Sequence, residues 1–140
     1  MRYIILVFIL FFNFSYVNAD AIYNLIKIPN LEVHKVDDVN GIKYLVSKRG
    51  FVIGDTNNIK CNGINNSDLD REFNTIQNNL RDYNSNFLRK INLKFVVLCK
   101  NLEISGINTG GVPDNTFRTL ILDLTFNQNY FERMIHHEIF

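Results

Sequence analysis

The residues with the clearest chemical potential are the last five of the sequence: His136, His137, Glu138, Ile139 and Phe140. A histidine followed by a glutamate and two further residues matches the first four positions of the pattern H-E-x-x-H. On a helix, positions i and i+4 share one face, so two such histidines can hold one metal ion while the glutamate activates water. The second histidine would fall at position 141, one past the sequence. The pattern indicates metal-dependent hydrolysis, and the alternative is a chance His-Glu pair.

Two elements would position these residues. Residues 119–126 alternate strictly, with leucines and a phenylalanine on one face and Thr119, Ile121, Asp123 and Thr125 on the other. This pattern predicts a half-buried strand whose second face is polar enough to line a cleft. The helix that follows is expected to be capped by Asn129, with one side formed by Phe131, Met134, Ile135 and Glu138. His137 would lie on the adjoining flank of that helix.

A long amphipathic helix is predicted over 67–90, with Ser67 as its N-cap and Asp70 as the capping-box acid. Its apolar residues recur every three or four positions: Leu69, Phe73, Ile76, Leu80, Tyr83 and Phe87. Such a stripe is typical of a helix that packs on a core, which we favour over a cofactor-binding helix.

Short β-type segments surround this helix. We predict strands at Leu31–Val36, 42–47 and Phe51–Ile53, the last two joined as a hairpin in which Gly50 adopts positive φ. Residues 93–99 are apolar and β-branched, which predicts a central strand. The polar stretches 55–66 and 101–115 are expected to be loops, and the second is long and glycine-rich enough to be functional or mobile.

The first 19 residues have the layout of a secretory signal peptide. Arg2 precedes an apolar run of about ten residues, too short for a comfortable membrane span, and Val17 and Ala19 occupy the small-residue positions read by signal peptidase. We therefore expect a signal peptide over 1–19, a single domain over 20–140, and a secreted or periplasmic protein without a membrane anchor after cleavage. An uncleaved signal anchor is the alternative.

The charge and the cysteine content indicate which kinds of partner and which cellular compartment to expect. Loss of Arg2 leaves 14 basic and 14 acidic residues, and no basic stripe suggests nucleic acid as a partner. The chain contains two cysteines, Cys61 and Cys99, and an even number favours a disulfide in an oxidising compartment. This bond would link the loop before the long helix to a later strand. The alternative is two separate buried thiols. The sequence contains no nucleophile elbow, P-loop or dinucleotide-binding fingerprint.

The order of the predicted elements resembles the N-terminal half of a zincin-type metallopeptidase. A long helix, a strand, a loop and an alternating strand lead into the helix with His136, His137 and Glu138, as in small secreted zinc metallopeptidases with an H-H-E-x-x-H helix. The resemblance covers 67–140. It implies an α+β fold, with the long helix packed on a small twisted sheet and a terminal active-site helix beside it. An edge strand then runs along the substrate cleft.

The same resemblance implies roles for individual residues. His137 would be the first zinc ligand and Glu138 the general base, with zinc as the cofactor and a peptide or protein as the substrate. Residues 119–125 would hold extended peptide by strand addition. His136 lies about 100° around the helix from His137 and would not bind the same ion. His34 is expected to be a surface residue and not a replacement ligand.

Catalytic zinc needs three protein ligands and an open position, and this sequence supplies one in the motif. We therefore expect the 140-residue chain to be an inactive fragment that binds zinc poorly. The alternative function is a secreted binding or adhesion domain, in which 136–140 forms a terminal helix without chemistry.

Overall fold

The computed structural model of the protein describes Ile28 and residues 31–54, 56–114, 118–127, 129 and 131–139. The predicted signal peptide and its cleavage site lie outside these residues. Within them the fold is mixed α+β, as expected, with three helices and a curled sheet. No helix in this part of the chain is long and apolar enough to span a bilayer.

The described elements follow one another along the chain in a fixed order. The strands are β1 Leu31–Val36, β2 Lys43–Ser47, β3 Phe51–Ile53, β4 Ile59–Asn62, β5 Phe95–Ile104, β6 Ile107–Asn108, β7 Gly111–Asp114 and β8 Thr119–Asp123. The helices are α1 Asn66–Arg81 and α2 Ser85–Lys90, both between β4 and β5, and α3 Phe131–Ile139 after β8.

Strand β5 organises the whole sheet because it is long enough to have different partners along its length. Its first half lies between β2 and β8, and both of these pairings are parallel. Antiparallel β1 and β7 complete the two outer edges, next to β2 and β8 respectively. The second half of β5 pairs with β4 and β6, and β4 pairs with β3. This change of partners within one strand lets the sheet curl.

The two faces of the sheet carry separate hydrophobic clusters. All three helices pack on one face, through a cluster that includes Phe73, Leu80, Leu88 and Ile135. The opposite face is covered by β3 and β4, which contribute Phe51 and Cys61 to the second cluster. The central strands are therefore buried on both sides, as parallel strands with covered faces usually are.

Several predicted strands are confirmed, but the predicted hairpin is wrong. β1, β2 and β3 lie where the sequence places them, and 93–99 belongs to the central strand β5. β2 and β3 do not pair: β2 lies between β1 and β5, while β3 pairs with β4. Gly50 has the predicted positive φ of 76°. A Cβ there would lie 2.5 Å from the carbonyl oxygen of Cys61, so the turn packs against β4.

Both predicted loops contain strands. Residues 55–66 include β4, and 101–115 includes the end of β5 together with β6 and β7. These strands are short or lie at a margin of the sheet, so they have little apolar periodicity to mark them. Backbone pairing with β5 and β8 determines them instead.

The predicted helix over 67–90 is two helices. Asn65, and not Ser67, caps α1: its side chain accepts from the backbone N–H of Asp68 at 2.9 Å and from the Ser67 hydroxyl at 2.8 Å. Asp70 is therefore not a capping-box partner. Asn84 interrupts the helix and caps α2 by accepting from the N–H of Asn86. The apolar stripe continues across the break, which is why periodicity alone did not reveal it.

The strand predicted over 119–126 is present as β8 but ends at Asp123, and its alternation is correct while its half-burial is wrong. Leu120 and Leu122 enter the helix-side cluster and Ile121 enters the opposite cluster, so all of β8 is buried. Asp123 is buried because its carboxylate accepts from the backbone N–H groups of Asn101, at 3.1 Å, and Leu102, at 2.9 Å. Its polarity serves backbone groups in the second half of β5, and it does not line a cleft.

The predicted disulfide between Cys61 and Cys99 is present, with Cα atoms 5.9 Å apart. Cys61 lies on β4 and not in a loop, and Cys99 lies in β5. The bond joins these strands near the point where β5 changes partners. Disulfides are typical of proteins that fold in oxidising compartments.

Candidate functional site

Helix α3 holds the residues of the sequence motif, and its apolar side positions it. Phe131, Met134 and Ile135 are buried in the helix-side cluster, as the spacing predicts. Positions 131, 134, 135 and 138 fall on one side of a helix, so Glu138 is directed toward the sheet margin. The helix packs against the edge strand β7. Residues 124–127 and 129 are the described part of the connection from β8 to this helix.

Two consecutive glycines allow α3 to lie this close to β7. A Cβ on Gly111 would lie 2.8 Å from Cγ of Glu138, and a Cβ on Gly110 would overlap the sulfur of Met134. Met134 and Glu138 are four residues apart and therefore face the same way. The glycines leave the space that these two side chains occupy. The sequence predicted that this glycine-rich segment would be a functional or mobile loop. In the structure, its two glycines instead allow strand β7 to pack closely against the motif helix.

Glu138 is half-buried in this arrangement. Burial raises the pKa of its carboxyl group, and the neighbouring His137 acts in the opposite direction. Glu138 and Ile139 also line a small pocket of about 50 Å³ together with residues of β7 and β8 and of the turn after α2. A raised pKa makes the carboxylate a better proton acceptor than an exposed glutamate.

The three histidines have different environments. His137 is exposed to solvent on the flank of α3, as expected. The hydroxyl of Tyr83 hydrogen-bonds to Nδ1 of His136, and their rings meet edge to face at 5.2 Å. Burial raises the pKa of Tyr83, so its hydroxyl stays protonated, and the tautomer of His136 decides which of the two groups donates. His34 is exposed on β1, where its ring packs edge to face on Phe73.

Tyr83 is a positioning residue that the sequence pattern did not reveal. It follows α1, stacks on Phe87 at 5.7 Å and holds His136, so it joins both earlier helices to α3. Its place in the apolar stripe indicated only a core residue. In the sequence, only the hydroxyl group of this tyrosine indicated that it could also form a polar contact.

The described residues do not form a complete metal site. No group of three His, Cys, Asp or Glu side chains among them is arranged to hold a metal ion. His137 is an accessible imidazole next to Glu138, which fits one ligand position and the adjacent carboxylate of the motif. His137 can thus supply one of the three protein ligands that a catalytic zinc ion needs, with Glu138 beside it. The described residues do not supply the other two ligands.

The edge strand beside the motif is β7, and the prediction that 119–125 would bind peptide is wrong. β8 pairs with β5 on one side and β7 on the other, so its backbone groups are already used. β7 pairs only with β8 among the described residues. Pro113 is consistent with this position, since proline within sheets is confined to edges and strand ends.

Comparisons with protein-family models, with curated proteins and with solved structures found no match to this chain.

Replacement of Gly111 by alanine should push α3 away from β7. The new methyl group meets Glu138 Cγ at 2.8 Å and Leu122 Cδ2 at 3.2 Å, so we expect a loss of about 1–3 kcal/mol in the free energy of unfolding. Urea denaturation measures this loss. In the double variant Gly111→Ala/Glu138→Ala the clashing methylene is gone, and more than half of the loss should be recovered. Additive effects of the two substitutions would show that the contact does not position the helix.

Proposed function

We propose that this chain is the N-terminal part of an exported zinc-dependent metallopeptidase, in which His137 is the first zinc ligand and Glu138 is the general base. The observation that supports this proposal best is the contact between Glu138 and Gly111, which sets the carboxylate of the motif against β7, a strand that is paired on one side only among the described residues. The zincin-type peptidases that the sequence resembles have an edge strand at the substrate cleft beside the motif helix.

The free edge of β7 offers backbone groups to an extended peptide. The N–H of Asp123 donates to the carbonyl of Gly110 at 2.9 Å, and antiparallel pairing alternates between inward and outward residues. Gly110, Val112 and Asp114 therefore use their backbone groups toward β8. Gly111 and Pro113 point theirs to the outer edge, which no described strand covers. The Gly111 carbonyl there accepts from the Thr109 hydroxyl at 3.2 Å, so the N–H of Gly111 is the donor left for a peptide. A peptide added as a strand would be held here and would pass Glu138.

Glu138 can carry the proton of a hydrolytic reaction. Zinc, when bound, would supply a polarised water molecule to such a site. Glu138 would accept a proton from the attacking water and give it to the leaving amine, a role that its raised pKa supports. Burial against β7 keeps the carboxylate in one place, which a general base needs.

The chain as far as Phe140 should have no peptidase activity, because one imidazole cannot hold zinc against water and competing ligands. A histidine at position 141 would add a second ligand on the same helix face, and a later His, Glu or Asp a third. The codons that follow Phe140 in the gene test this directly. A histidine codon in the first position supports the proposal, and any other residue there removes the motif.

Replacement of His137 in a protein that continues past Phe140 should abolish zinc binding. We expect His137→Ala to lose bound zinc, measured by metal analysis after dialysis, because it removes a ligand from a site that has three. His136→Ala is the matched control: it changes the neighbouring histidine, which contacts Tyr83, and should keep the metal. Equal zinc content in both variants, or loss in the His136 variant alone, would contradict the assignment. A continued protein without zinc would favour the secreted binding domain.

A further inference from the structure

A second pocket, larger than the one beside Glu138, lies away from α3. It has a volume of about 640 Å³, within the range of small-molecule sites, and opens at the starts of β2 and β5. One wall is the turn between β1 and β2, and the other is α2 with the turn that follows it. Its lining residues are Val39, Asn40, Gly41, Lys43, Ser85, Asn86, Arg89, Asn92, Leu93, Lys94 and Phe95.

The charge of this pocket is entirely positive. Lys43, Arg89 and Lys94 line it, and the described lining residues include no carboxylate. None of the three cations forms a salt bridge with a described residue. The nearest acids in sequence are already engaged: Asp37 and Asp38 both accept from Arg81, at 2.9 and 2.7 Å. Within the described part of the chain, no acidic side chain pairs with these three positive charges.

The neutral lining residues add donors and an apolar floor. The Asn86 Oδ1 accepts from Arg89 Nη2 at 2.8 Å, which orients the guanidinium and leaves the amide nitrogen of Asn86 as a donor. Asn40 belongs to the same wall, but its Nδ2 is buried from solvent and its Oδ1 accepts from the N–H of Ile42, so it adds no donor to the pocket. Leu93 and Phe95 supply apolar surface. Guanidinium and ammonium groups around such a concave surface suit a phosphate group, which accepts several charge-assisted hydrogen bonds.

We propose that this pocket, formed by Lys43, Arg89 and Lys94 with the surrounding amides, binds a small molecule through a phosphate or diphosphate group. The site is independent of the proposed peptidase function, because it shares no residue with α3 or β7. Two sources could present this chemistry, a free phosphate ester and the headgroup of an acidic phospholipid.

The test measures inorganic pyrophosphate binding by titration calorimetry, using the chain purified with its disulfide formed. Lys43→Gln/Arg89→Gln/Lys94→Gln should lower the affinity about tenfold or more, since each substitution removes a charged donor from the pocket. The matched control is Lys48→Gln/Arg49→Gln/Lys60→Gln, which removes two lysines and one arginine from outside the pocket. The control should change the affinity less than about twofold at 150 mM salt, where distant charges are screened.

A second arm separates the two sources by sedimenting the chain with phosphatidic acid vesicles. Pyrophosphate binding that is lost only in the pocket variant supports a free phosphate ester. Vesicle binding lost only in that variant, without pyrophosphate binding, supports a lipid headgroup. Binding in neither arm, or equal losses in the pocket and control variants, would overturn the proposal. Unfolding midpoints of both variants, compared with the parent chain, identify any loss caused by misfolding, and Lys43→Arg/Lys94→Arg should then keep binding because the charges remain.

Discussion

Glu138→Gln in a protein that continues past Phe140 is expected to keep bound zinc and to lose peptide hydrolysis by about 100-fold or more in kcat. The amide has nearly the size of the carboxylate and can fill the same space against Gly111, so the packing of α3 should persist. It cannot accept a proton. The loss should therefore appear in kcat and not in zinc content, and single-turnover hydrolysis of a peptide together with metal analysis measures both.

The matched control for this variant is Glu132→Gln. Glu132 lies on the same helix but is exposed in its first turn, so its replacement removes the same charge away from the edge strand. We expect its activity to remain within about twofold of the parent, as for most surface substitutions. A Glu138→Gln variant that still cleaves peptide at the parental rate would remove Glu138 from the mechanism. An equal loss in both variants would point to a general electrostatic effect.

The pH dependence provides a further check on Glu138. Burial raises the pKa of its carboxyl group, so in the chain without bound metal Glu138 should take up a proton at a higher pH than an exposed glutamate does. An NMR titration of the Glu138 carboxyl carbon in the metal-free chain measures this pKa, and a value at or below that of a glutamate in an unfolded peptide would contradict the burial. Gly111→Ala, which disturbs the packing around this carboxylate, should move the titration midpoint if the variant stays folded.

Removal of the disulfide is expected to have the largest effect on stability. Cys61 and Cys99 are separated by 38 residues, and the chain-entropy model gives a contribution of about 3–4 kcal/mol for a loop of that length. This is a large part of the 5–15 kcal/mol that typically stabilises a domain. Both residues are almost fully buried, so the double variant Cys61→Ala/Cys99→Ala should also leave a small cavity.

Urea denaturation of three forms separates these effects. The oxidised parent, the reduced parent and the double alanine variant should decrease in stability in that order, because reduction removes the link and keeps the sulfur atoms. Thiol titration of the unfolded exported protein should find no free thiol. Two reactive thiols in that material, or a loss below about 1 kcal/mol on reduction, would contradict a stabilising disulfide.

The sequence by itself determined the features that depend on local pattern. Strict alternation located β8, repetition every three or four residues located α1, and apolar spacing from Phe131 to Ile135 located α3 with the correct buried side. These signals are reliable because the pleat of a strand and the pitch of a helix each assign faces from spacing alone. The pairing of Cys61 with Cys99 followed from an even count in a chain with a secretory signal pattern.

Only the tertiary structure decided which strand lies at the edge of the sheet beside Glu138. Burial of β8 on both faces depends on β3 and β4 folding over the side opposite the helices, and no local pattern encodes that. β7 has four residues, one of them a proline and one a glycine, so its strand character comes from pairing with β8. The lack of side chains at Gly110 and Gly111 matters because Met134 and Glu138, more than 20 positions later in the chain, pack into that space. Position within the sheet is a property of long-range contacts, which is why β7, and not the predicted β8, lies at the edge of the described sheet.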